Sequence, residues 1–174
     1  VRAGKDNTDD ANTMQTNIAC MADYDQPYAA GHARTTILVV DDDTTARLTI
    51  SAMISNEDEY RVVLGTGAAE ARERLPLIEP DVIVCDFVMD GVSGDEFFRW
   101  LKADRRWRYV PIIAVTRLAH GSSGLDNSQV RADLLNAGAD AIAAKPINAA
   151  ELRAMVYAAA RTRRLYQNLM REGS

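Results

Sequence analysis

No uninterrupted apolar run in this 174-residue chain approaches the ~20 residues that a membrane-spanning helix needs. Cysteine is scarce. Cys20 lies in a polar stretch and Cys85 abuts an apolar run, so no disulfide framework is expected and a reducing cytosol fits. A basic excess is missing too: 20 Lys and Arg against 25 Asp and Glu leave a net charge of −5, with no bulk attraction to nucleic acid or acidic lipid. That balance still allows a local basic patch. No charged segment followed by an apolar one opens the sequence, so no export signal is read. His32 and His120 stand in polar segments without metal-ligand spacing, and no internal repeat is visible. What is present is an apolar fraction of 47%, enough to build the core of one ordinary domain with appendages.

Residues 1–35 are polar and aperiodic, and read as a flexible tail or linker. Short Val/Ile/Leu runs then alternate with amphipathic stretches, the pattern of parallel strands with crossover helices. Strands are expected at Thr35 or Thr36 to Asp41, Tyr60–Leu64, Val82–Asp86, Val110–Thr116 and Asp140–Ala144. Helices are expected at Thr44–Asn56, Ala68–Ile78, from Gly94 onward, Ser128–Asn136 and Asn148–Met170. Pro76 should bend or end the second helix, and Gly138 should cap the fourth. Phe97, Phe98, Trp100 and Leu101 read as packing residues. Five βα units give a three-layer α/β domain.

In such sheets chemistry collects at the carboxyl ends of the strands. There the sequence places Asp41 and Asp42 after the first run, Asp86 after the third, Thr116 after the fourth and Lys145 after the fifth. Carboxylates about 4 Å apart repel by roughly 4 kcal/mol at an effective dielectric near 20, so such a cluster calls for a cation. Asp43 reads as a helix cap, and Cys85 as a small core residue.

This constellation resembles the receiver domain of two-component response regulators and hybrid histidine kinases. The likeness covers roughly residues 36–165 and extends to Asp86-Phe87-Val88-Met89, Gly94, Gly138-Ala139-Asp140 and Lys145-Pro146. It implies a flavodoxin-like fold with strand order 2-1-3-4-5, a receiver over 36–160, and a C-terminal extension of the last helix over 161–174. It implies that Asp86 accepts a phosphoryl group from a histidine kinase or histidine phosphotransfer protein. Mg²⁺ would be held by Asp42, Asp86 and the Val88 carbonyl, with Asp41 acting through water. Lys145 would offset developing charge, and Thr116 would contact the added phosphoryl group. Such a protein is a cytoplasmic switch that catalyses only its own modification, not an enzyme acting on a free substrate. It would bind neither nucleic acid nor membrane directly.

Four features depart from that family's pattern. Asp90 replaces a usual proline, Arg117 replaces a small residue after the switch threonine, and Ile142 stands where an aromatic is usual. Arg117 could cover the pocket or clamp the phosphoryl group. The stretch from Thr116 to Lys145 is also roughly seven residues longer than usual, which suggests that activation reorders the 117–127 loop. The last helix, about 35 Å long, is either an ordinary terminal helix with a basic end or a connector to an output domain or second copy. Two other functions compete. One is a degenerate, phosphorylation-independent interaction module. The other is a haloacid-dehalogenase-like phosphohydrolase using Asp41 and Asp43, against which stands the lack of a further acidic motif after Lys145.

Overall fold

In the computed structural model, which describes residues 34–55, 59–117 and 127–172, the apolar runs pair into one parallel sheet. The elements are β1 (Thr35–Val40), α1 (Thr44–Ile54), β2 (Tyr60–Gly65), α2 (Ala68–Ile78), β3 (Val82–Asp86), α3 (Gly94–Ala103), β4 (Ile112–Arg117), α4 (Asn127–Ala137), β5 (Ala141–Lys145) and α5 (Ala149–Glu172). The strand order is β2-β1-β3-β4-β5, the flavodoxin-like order that the sequence implied.

Strand periodicity sorts the side chains onto two faces. Leu38, Val40, Ile83, Cys85, Ile112 and Ala114 join Leu75, Phe97, Phe98, Leu101 and Leu134 in one core. Ile37, Val39, Val82, Val84, Ile113 and Val115 join Ile50, Ile54, Leu152 and Val156 in the other. Both faces of the central strands are covered, so β1 and β3 are buried along their whole length. Each fully buried Val, Leu, Ile or Phe stabilises the fold by about 1.5–3 kcal/mol. Trp100 lies half-buried against the first core, with the Arg72 guanidinium 4.4 Å from its ring.

Helix ends follow their sequence signals. Asp43 caps α1, its Oδ1 accepting from the Ala46 amide at 2.7 Å, and Ser93 caps α3 in the same manner. Gly138, at φ +116, ends α4 with its amide on the Leu135 carbonyl and the Ala139 amide on that of Leu134.

Several boundaries differ from expectation. β4 begins at Ile112, because Pro111 has no amide to donate to the ladder. β5 is shifted one residue; Asp140 precedes it, its amide donating to the Ile112 carbonyl at 2.8 Å while its carboxylate accepts from the Ile112 amide and Lys102 Nζ. α1 ends at Ile54, with residues 56–58 outside the described residues. α2, by contrast, has the expected bounds, stopping at Ile78 two residues past Pro76, where Glu79 adopts a left-handed conformation. A proline that near the end forfeits little of the helix beyond it. In α5 the buried residues are Leu152, Val156 and Ala160, with Ala159 only partly so. Tyr166 on α5 stacks on Tyr109 with ring centroids 4.1 Å apart. The expected tail at 1–35 and the 117–127 loop fall largely outside the described residues.

Candidate functional site

Register decides which side chains meet. β1 and β3 are neighbours with Val40 opposite Cys85, so the residues that follow, Asp41 and Asp86, emerge side by side. β4 sets Val115 beside Asp86, and β5 sets Ala144 beside Thr116 and Lys145 beside Arg117. The chain thus brings Asp41, Asp42, Asp86 and Lys145 to one edge, as the sequence indicated. Carboxylate oxygens of the three acids lie within 4.8 Å of one another.

Each acid has its own environment. Asp41 is fully buried; its Oδ1 accepts from the Asp43 amide at 2.9 Å and its Oδ2 from Lys145 Nζ at 3.4 Å. Asp42 is exposed and accepts from the Asp90 amide at 2.8 Å. Asp86, 7% exposed, takes Lys145 Nζ at 2.6 Å on Oδ2 and the Val88 amide at 3.3 Å on Oδ1. The loop after Asp86 is held close by Gly94, whose amide donates to the Phe87 carbonyl at 3.1 Å.

Burial raises the Asp41 carboxyl above its ordinary value, and the Asp86 charge adds to the rise. The Asp43 amide and the Lys145 ammonium oppose it. Burial alone would lower Lys145, but its hydrogen bond to Asp86 and the charges of Asp86 and Asp41 outweigh this and leave it raised. The Cys85 thiol is pushed well above its usual value, first by burial and then by Asp86 and Asp41, which suits an inert core residue.

The remaining candidates surround this centre. Thr116 is 3% exposed at the end of β4, and its hydroxyl makes no hydrogen bond among the described residues. Arg117 is exposed and lines, with Asp42, Asp86, Val88 and Lys145, a groove of about 860 Å³ that continues along α1 past Thr45, Thr49 and Met53. Ile142 packs against the core under α4 and takes no part in the groove. The side chain of Asp90 is exposed, and its amide is what engages the site.

Sequence reasoning missed Arg47. It is 8% exposed; its Nη1 donates to the Asp41 carbonyl at 2.6 Å and its Nη2 to Thr44 Oγ1 at 3.2 Å. The signal was its spacing, three and seven residues before Ile50 and Ile54 on the buried stripe of α1.

The acids, the amine and the sheet order together coincide with a known pattern: the family model for the response regulator receiver domain matches residues 37–157. This chain belongs to that family. Response regulator Rre1 of Synechocystis is 30% identical over 120 residues, covering 69% of this chain and 49% of Rre1. A protein-glutamate methylesterase/protein-glutamine glutaminase of Rhizobium johnstonii is 33% identical over 136 residues, covering 75% of this chain and 37% of that protein. This receiver therefore spans about half or less of the length of these two relatives. Among solved structures, the receiver domain of a signal transduction histidine kinase from Syntrophus aciditrophicus superposes with a TM-score of 0.64 at 26% identity, covering 73% of this chain and 90% of that one. A CheY-like receiver from Methanospirillum hungatei gives 0.62 at 26% identity, covering 76% and 98%.

Within the receiver, the geometry speaks against a phosphohydrolase built on Asp41 and Asp43. Asp41 is sealed from the groove, and the Asp43 carboxylate is engaged in capping α1. The donor set suits a hard divalent cation: three carboxylates offer only oxygen ligands, with no histidine or thiolate in the group. Among the described residues, no helix is long and apolar enough to cross a membrane.

Proposed function

We propose that this receiver accepts a phosphoryl group on Asp86 from a phosphohistidine of a histidine kinase or histidine phosphotransfer protein, and so controls a partner or output domain. One observation carries the choice of Asp86. It is the acid that both lines the groove and is gripped by Lys145 at 2.6 Å, whereas Asp41 is sealed and Asp42 meets no ammonium among the described residues.

An Asp86 carboxylate oxygen attacks phosphorus, and the bond from phosphorus to the donor imidazole nitrogen breaks with its electron pair leaving on the imidazole. Lys145 holds the attacking carboxylate in place and offsets the charge of the added group. Mg²⁺, held by Asp42, Asp86 and the Val88 carbonyl with Asp41 behind them, would supply further positive charge at that position. Thr116, whose hydroxyl makes no hydrogen bond among the described residues, offers one to the phosphoryl oxygens. Such a contact exists only in the modified state, which is what allows it to bias a two-state protein. Arg117 stands at the mouth of the groove as an additional cation for the same group. The protein works as a cytoplasmic switch, with α5 beyond Ala160 as its route to an output domain or a second copy.

The test is intact-mass spectrometry after incubation with a phosphorylated donor kinase and Mg²⁺, comparing wild type with Asp86→Asn. One phosphoryl adduct on the wild type, lost in the variant and on chelation, is the expected result. Absence of an adduct on folded wild type would instead favour an interaction module that works without phosphorylation.

A further inference from the structure

At the opposite, amino edge of the sheet lies a second cavity of about 360 Å³, lined by Glu79, Asp81, Arg106, Trp107, Arg163 and Gln167. Its walls come from the end of α2, the turns entering β3 and β4, and the distal half of α5. These parts are tied together. Asp81 accepts from the Thr36 amide at 2.9 Å on one oxygen and from Gln167 Nε2 at 3.1 Å on the other. Tyr166, next to Gln167, stacks on Tyr109.

Arg163 projects from α5 into this frame without an acceptor. Its Nε is buried and donates to nothing among the described residues, and the side chain forms no ion pair there. The Asp81 oxygens are already engaged, and Glu79 lies exposed at the rim. Arg106 also lacks a carboxylate partner among the described residues; its guanidinium rests 5.0 Å from the centre of the Trp107 ring. A guanidinium presents its Nε–H and an Nη–H as a planar fork matched to two oxygens of one oxyanion. Two such groups meet here in a cavity of ligand-holding size. Arg105, Arg108 and Arg164, all exposed, follow or precede them in sequence and add positive charge to an otherwise acidic chain.

We propose that this cavity binds a phosphate-type dianion, with Arg163 as the fork, its Nε buried, and Arg106 as the second cation. With Glu79 and Asp81 the lining is neutral overall, so selection rests on the guanidinium N–H groups, whose hydrogen bonds are stronger to a doubly charged oxyanion than to a singly charged one. Bound there, the dianion joins α5 to the turn before β4 and fixes the distal half of the helix on the sheet. This site is separate from Asp86 and does not depend on the phosphoryl-transfer reading.

Nitrogen-15 NMR of the whole chain tests it, with the Arg163 Nε–H and Trp107 indole signals followed at constant ionic strength. Inorganic phosphate should produce saturating shifts of both, with a dissociation constant of about 1 mM or below. Arg163→Gln should weaken binding by about tenfold or more, and Arg106→Gln should weaken it independently. Tighter binding of glycerol 3-phosphate than of phosphate would mark an ester as the ligand, and the reverse order the free ion; both support the site. Shifts that rise linearly without saturating, that survive Arg163→Gln, or that appear only at Thr116 and Lys145 would overturn it. So would acetate acting as well as phosphate.

Discussion

Arg47 exchanges the usual surface role of an arginine for a structural one, and its removal is informative. Arg47→Met keeps most of the apolar stem but takes the guanidinium from the Asp41 carbonyl, 2.6 Å away in a buried position. A buried carbonyl left without its donor costs about 1–3 kcal/mol, so the urea midpoint of the variant should fall by that equivalent. Arg47→Lys, which lacks the second donor to Thr44, should recover only part of the loss. An unchanged midpoint in Arg47→Met would mean that the β1–α1 turn is held by other contacts. At this scale the sequence was uneven in what it disclosed. Asp41, Asp42, Asp86, Thr116 and Lys145 are legible because each closes or directly follows a short apolar run in a regular alternation of such runs with amphipathic stretches. Arg47 is not, since arginine on a helix reads by default as solvated. Arg163 and Tyr166 were legible as residues of a long helix, but their partners Arg106 and Tyr109 lie more than fifty positions earlier, and no local pattern announces a contact of that kind.

Between elements, the least yielding constraint is where α3 enters against the end of β3. A Cβ on Gly94 would lie 2.8 Å from both the Cα and the carbonyl oxygen of Phe87, and 3.0 Å from the Asp86 carbonyl. Those neighbours are backbone and cannot swing aside. Gly94→Ala should therefore cost about 1–3 kcal/mol, seen as a lower Tm, and should slow modification of Asp86 because the displaced segment is the one that follows it. A variant with unaltered Tm would show that the α3 entry yields freely. Helices and strands were read from periodicity with most ends within two residues. The exceptions lie at local features that periodicity does not carry: Pro111 withholds an amide from β4, and the Asp140 carboxylate accepts from the strand beside it. Pro76, expected to bend or end α2, lies two residues before the helix stops at Ile78.

For the molecule as a whole, the sheet order follows from the alternation of strand and helix, and two cores follow from covering both faces. Protection should mirror that arrangement. Amide hydrogen exchange should be slowest in β1, β3 and β4, whose apolar residues are fully buried. It should be faster in the alanine-rich edge strand β5, which is only partly buried, and in the last turns of α5, where Leu169 and Met170 are 67% and 54% exposed. Uniform protection over β5 and the end of α5 would contradict this gradient. The distribution of the site along the chain has a consequence for how it is made. Asp41 and Lys145 touch although 104 positions separate them, so a nascent polypeptide carries all three acids long before it carries the amine that balances them. Until the fifth strand has left the ribosome and added itself to the edge, the carboxylates repel one another without that counter-charge. A chain cut short or stalled before that point has its acids but not its site, and competence to signal arrives only with completion of the fold.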